Sequence, residues 1–88
     1  MPASITANHR ACAAIWASGM RRSAASYRAQ ADRVRVDRAR AFYLRKADAM
    51  DRMAARYEAF AGDVDPASVI PSYEDWLEAS ALISAVSS

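Results

Sequence analysis

Arg35-Val36-Asp37-Arg38-Ala39-Arg40-Ala41 lies in the middle of a stretch, Met20 to Ala61, that has neither glycine nor proline. As one continuous helix from Arg21 to Ala61 this stretch would be about 60 Å long, whereas a compact chain of 88 residues has a radius of gyration of about 12 Å. The phase of the apolar residues bears on how that mismatch is resolved. At about 100° per residue, Tyr43, Ala47, Met50, Ala54, Tyr57 and Ala61 fall within an arc of about 80°, flanked by Phe42, Met53 and Phe60. Continued backwards along the same ideal helix, Trp16, Met20, Tyr27, Ala31 and Val34 cluster about 160° away. One straight helix cannot turn both stripes towards one partner. The apolar pattern is weakest over residues 35–41, so a break is expected there, folding the segment into an antiparallel hairpin; an unbroken two-faced helix is the competing reading.

Outward from this point the chain reads as all-α. Alanine is abundant, Val and Ile are sparse, and apolar residues recur at three and four rather than at two. Towards the N-terminus, Ser4, Thr6 and Asn8 each offer a capping oxygen before Ile5, His9, Cys12, Trp16 and Met20, which share one face. Gly19 either ends this first helix, read as 4–18, or sits inside it at a cost of about 1 kcal/mol relative to Ala. Towards the C-terminus, Gly62-Asp63-Val64-Asp65-Pro66 stops the central helix, 21–61, and residues 62–72 form a linker. Ser72 followed by Asp75 resembles a capping box, so a short last helix is expected over 73–86, with Ser87 and Ser88 fraying. No internal repeat is read. The expected architecture is one helical domain: two long helices plus a short C-terminal one.

Size limits what such a domain can do alone. A chain of 9.6 kDa keeps about 5,100 Å² accessible when folded, against about 13,900 Å² unfolded, a thin core that favours a homodimer. The single cysteine, Cys12, excludes an intrachain disulfide and suits a reducing cytoplasm. The longest uncharged apolar stretch, Ala11 to Met20, is far short of the roughly 20 residues that span a bilayer, and no membrane association is expected.

Net charge is only +2, yet it hides a segregation. Arg21 to Lys46 holds nine cations against Asp32 and Asp37, or +7; Ala47 to Ser88 holds Arg52 and Arg56 against eight acids, or −6. Such a layout points to an anionic partner or to pairing between the two halves. Within single helices, Arg28–Asp32, Asp32–Arg35, Arg33–Asp37 and Asp48–Arg52 have pairing distance in sequence. The candidate binding face is Arg33, Arg35, Arg38, Arg40 and Arg45, and the candidate interface anchors are the large amphipathic rings Trp16, Tyr27 and Trp76.

Catalysis finds no constellation. His9 and Cys12 at i and i+3 offer zinc two ligands where a structural site needs four, and the chain has no other His or Cys. Glu74 with Asp75 looks like helix capping and Asp63 with Asp65 like a solvated loop. Two isolated glycines make no phosphate loop. No catalytic residue, metal or cofactor is therefore assigned. The expected function is a non-enzymatic interaction module that occupies a macromolecular partner, protein in preference to nucleic acid. It would be an adaptor, or a small inhibitor of the kind mobile elements encode, an origin that rests on size alone. The alternatives are a nucleic-acid binder reading backbone through the arginine face, and a structural homo-oligomer.

Overall fold

The computed structural model describes residues 4–87. Three α-helices account for most of it: α1 over Ala7–Arg33, α2 over Asp37–Ala61 and α3 over Tyr73–Ser87, with one turn of 3-10 helix at Pro66–Ser68 between the last two. The long helices form an antiparallel hairpin. Its break is sharper than the sequence suggests: Val34-Arg35-Val36 leave the helical path, and residues 37–41 already belong to α2. The expected first helix at 4–18 is corrected as well. Gly19 lies inside α1, because Ala17 and Ala24 on either side are fully buried against α2 and outweigh a penalty of about 1 kcal/mol. Ser88 falls outside the described residues.

The two stripes meet in a seam with heptad spacing, Ala17, Met20, Ala24, Tyr27, Ala31 and Val34 on α1 and Ala47, Met50, Ala54, Tyr57, Ala61 and Val64 on α2 and just beyond it. The alanines are buried at 0–3% exposure while the Met and Tyr side chains are half-buried around them. Small residues at the seam let the backbones approach closely, and the longer side chains wrap its edges.

These two lists are the same list displaced by 30 positions, which corrects the reading that the chain has no repeat. Between 10–34 and 40–64, eleven of 25 positions are identical. Six are alanines, but Arg10/Arg40, Met20/Met50, Arg22/Arg52, Tyr27/Tyr57 and Val34/Val64 are not explained by alanine bias. The structure uses the equivalence. Helix α1 starts after Thr6 and α2 after Val36, again 30 apart. Arg10 Nη1 donates to the Phe60 carbonyl at 2.7 Å near the end of α2; Arg40 Nη2 likewise reaches a carbonyl at the far end of the other helix, but that of Val34 at 2.9 Å, four residues on from Gln30, the mate of Phe60. Arg21 pairs with Glu58, and Arg28 pairs with Asp51; since 51 is the mate of 21 and 58 the mate of 28, the two bridges exchange under a two-fold axis. That reciprocity is the mark of an isologous interface. The hairpin is a pseudo-symmetric pair of helices, with arginine fixed in the first copy and acid in the second.

Helix α3 breaks the symmetry by covering one end. It packs where the hairpin is open, with Ile83 against Ala13, Phe60 and Ala61, and Leu82, Trp16, Tyr57 and Val64 around them. Its own start is closed by the expected capping box: the Asp75 N–H donates to Ser72 Oγ at 3.2 Å and the Ser72 N–H to Asp75 Oδ2 at 2.9 Å. Among the described residues nothing comparable covers the turn, and the molecule is elongated, 53 × 28 × 21 Å with a radius of gyration of 15.5 Å. Its accessible surface is 6069 Å², above the roughly 5,100 Å² of a compact chain of this mass. Among the described residues no helix is long and apolar enough to cross a membrane.

Candidate interaction surface at the hairpin turn

Pairing between the helices removes some of the charge segregation and leaves the rest concentrated. Arg21 bridges Asp51 and Glu58, and Arg28 bridges Asp48 and Asp51, all on one face of the hairpin. Hydrogen bonds from Arg28 and then Arg21 hold the Asp51 carboxyl below the usual carboxylate range, and Arg21 does the same for Glu58. Arg28 thus turns to α2 rather than to Asp32. The break at residues 34–36 also takes Asp32–Arg35 and Arg33–Asp37 off a shared helix.

What remains unpaired lies largely at the turn. Arg33 ends α1, Arg35 sits in the connection, Arg38 lies in the first turn of α2 and Arg45 two turns on; all are exposed, with no acidic partner among the described residues. Residues 33–46 carry six cations against Asp37 alone, a local +5 within a chain of +2. Arg40 differs from the rest of the expected set: although exposed, it bonds Asp37 Oδ1 at 3.1 Å as well as the Val34 carbonyl, so its guanidinium is engaged within the turn. Beside these arginines Phe42 is 46% exposed, with the Lys46 ammonium 5.6 Å above its ring and Tyr43 against its edge. Tyr43 in turn stacks on Tyr27 across the hairpin at 6.3 Å.

Trp16 and Trp76 lie 5.1 Å apart and Trp16 meets Tyr57 edge-on at 6.0 Å, so these half-buried rings join α3 to the hairpin. Tyr27 is likewise half-buried in its stack. A feature the sequence reading missed is the outer face of α2. Arg38, Arg45, Arg52 and Arg56 fall within about 40° opposite the seam, and Arg56 lines both an open groove of about 410 Å³ with Ala59, Phe60, Ile83 and Val86, and a second of about 470 Å³ with Ala49, Arg52 and Met53. Counting Arg52 and Arg56 into the acidic half by chain order concealed them; their spacing of seven, seven and four from Arg38 was the available signal.

His9 and Cys12 are both buried, but each ring nitrogen of His9 already has a partner. The Thr6 N–H donates to Nδ1 at 3.1 Å, so the neutral ring carries its hydrogen on Nε2, which donates to Glu78 at 2.9 Å. Thr6 Oγ1 accepts from the His9 N–H, giving a capping box with histidine in the place of Glu. Burial and then Asp75 push the Cys12 thiol up, away from a reactive thiolate. Backbone hydrogen bonding at Ser72, followed by Asn8, holds Asp75 down. Among the described residues no three His, Cys, Asp or Glu side chains converge on a point that could hold a metal ion. Compared with known proteins, the chain matches no family model, no curated protein and no solved structure.

Proposed function

We propose that this protein is a non-enzymatic interaction module that binds and occupies an anionic surface of a macromolecular partner, a protein in preference to a nucleic acid, as an adaptor or small inhibitor. The observation that carries this reading is the division of its cations: Arg21 and Arg28 are paired internally, while Arg33, Arg35, Arg38 and Arg45 stand exposed at the turn without acidic partners among the described residues. Guanidinium groups in that state bind carboxylates or phosphates bidentately at little cost in broken contacts. A buried lone thiol suits a reducing cytoplasm. The surplus of surface over a compact chain, on the order of 1,000 Å², is comparable to what one partner contributes to a standard interface, which supports either a homodimer or a foreign complex.

The test is affinity capture from a lysate of the cells that make the protein, with and without nuclease. A stoichiometric protein that survives nuclease is expected; recovery of no partner together with turnover of some substrate would sink the reading. The cluster of exposed, unpaired arginines also favours a second reading, contact with a nucleic-acid backbone. That reading predicts a mobility shift at low salt which weakens steeply as salt rises, and no shift at low salt ends it.

A further inference from the structure

The two-fold relation between α1 and α2 assigns every surface at the open end a counterpart at the turn. Helix α3 occupies the first, and among the described residues nothing occupies the second. Its seat on α1 is Asn8, which donates to Asp75 at 2.9 Å, His9, which holds Glu78, Trp16, which meets Trp76, and Ala13, which with Phe60 and Ala61 of α2 packs against Ile83. Displaced by 30, Asn8, His9, Trp16 and Ala13 become Arg38, Ala39, Lys46 and Tyr43, Phe60 and Ala61 become Gln30 and Ala31, and Phe42 takes the place of the buried Cys12. The ring of Tyr57 that completes the first seat has its mate in Tyr27, already stacked at the turn.

The substitutions between the two seats define what the second would hold. The occupant of the first is an acidic, largely apolar helix, with Glu74 and Asp75 in its first turn, Glu78 one turn on, Trp76, Leu82 and Ile83 facing the hairpin, and Tyr73, Leu77 and Val86 exposed. At the turn a neutral donor has become Arg38 and an indole has become Lys46, so the demand for acid rises. Phe42, 46% exposed under the Lys46 ammonium, keeps an apolar contact available. We infer that the face formed by Arg38, Phe42, Lys46 and Tyr27 is a vacant two-fold counterpart of the α3 seat, and that it receives an acidic amphipathic helix of a partner protein. This rests on the proposed function and names the partner's chemistry at the same site. A helix laid in a groove by apolar residues at three- and four-residue spacing, with carboxylates meeting the cations beside it, is an established mode of recognition.

The experiment selects from a phage-displayed library of random 16-residue peptides against the full-length protein, then maps enriched peptides by backbone amide shifts in NMR. The expected result is enrichment of acidic peptides with apolar residues at helical spacing, and shifts centred on residues 38–46 and on Tyr27. Affinity should fall at least tenfold in Arg38→Glu/Lys46→Glu and in Phe42→Ala, whose exposed positions leave the helical circular dichroism unchanged. Four outcomes overturn the inference: no enrichment; enriched peptides without acid; shifts centred on the grooves around Arg56 or on His9 and Trp16; and a sedimenting dimer that the double charge reversal abolishes, which would make the face an interface between copies. Its failure is separable from that of the proposed function. If Arg33→Ala/Arg35→Ala/Arg38→Ala/Arg45→Ala loses a captured partner while no acidic helical peptide binds at the turn, the arginine surface stands and only the helical ligand falls.

Discussion

Gly19 and Val36 are the positions where the two helical copies differ to the cost of stability, and each has its remedy at its mate. Gly19 lies inside α1 where α2 has Ala49, and a Cβ placed on it meets the Arg22 guanidinium at 3.8 Å, an ordinary contact. Gly19→Ala should stabilise the protein by about 1 kcal/mol in thermal or denaturant unfolding. Val36 stands at the N-cap of α2 with an extended backbone, φ −88° and ψ 122°, and makes no side-chain cap, whereas its mate Thr6 caps α1 through the His9 N–H. Val36→Thr should therefore gain about 0.5 to 1 kcal/mol by supplying an acceptor for the Ala39 N–H, and a loss of stability would show that the cap geometry is not available. Both weak points were visible as residue types, but their significance needed the repeat, and half of the repeat's signal is alanine against an alanine-rich background. Arg10/Arg40, Met20/Met50 and Tyr27/Tyr57 carry the information that composition cannot mimic.

At the level of the helices, the alanine seam sets how closely α1 and α2 approach. Ala54 is fully buried in it and Ala55 beside it is exposed. Ala54→Leu should cost about 1 to 3 kcal/mol by forcing the backbones apart, while Ala55→Leu should change stability by no more than about 0.5 kcal/mol; equal effects at the two sites would contradict the seam. The ion pairs on one face respond to acid in a definite direction. Asp51, Glu58 and Asp75 all titrate below the ordinary carboxylate range in the folded chain, so their contribution is present at neutral pH and lost as pH falls through the ordinary range and below it. The melting temperature should drop between about pH 6 and pH 3, and Asp51→Asn/Glu58→Gln should show a shallower drop over the same interval. The phase change between the apolar stripes placed a break over 35–41, which overlaps the observed one at 34–36 only in Arg35 and Val36, because two arcs on opposite sides cannot share a partner on one helix. It did not reveal that Gly19 lies within a helix, since burial of Ala17 and Ala24 overrides a local propensity of about 1 kcal/mol.

Across the whole molecule, the fold turns a charge pattern along the chain into one in space. Folding α2 back on α1 neutralises Arg21 and Arg28 and leaves a basic turn at one end, while α3 brings Asp75 and Glu78 to the other. The sequence shows the segregation, but not which arginines remain unengaged: Arg40 bonds the Val34 carbonyl and Asp37 at the turn, and Arg52 and Arg56 join the outer face of α2. Nor does it show that Trp16 and Trp76 meet each other, because their contact depends on a linker whose path follows from Gly62, at φ 63°, and the 3-10 turn after it. In the proposed function the exposed turn arginines hold a macromolecular partner. This is tested most directly by side-by-side capture with the wild-type chain and with Arg33→Ala/Arg35→Ala/Arg38→Ala/Arg45→Ala, after confirming equal helical content and melting temperature. The account predicts that a stoichiometric partner retained by the wild type is absent from the variant; equal retention by both would contradict it.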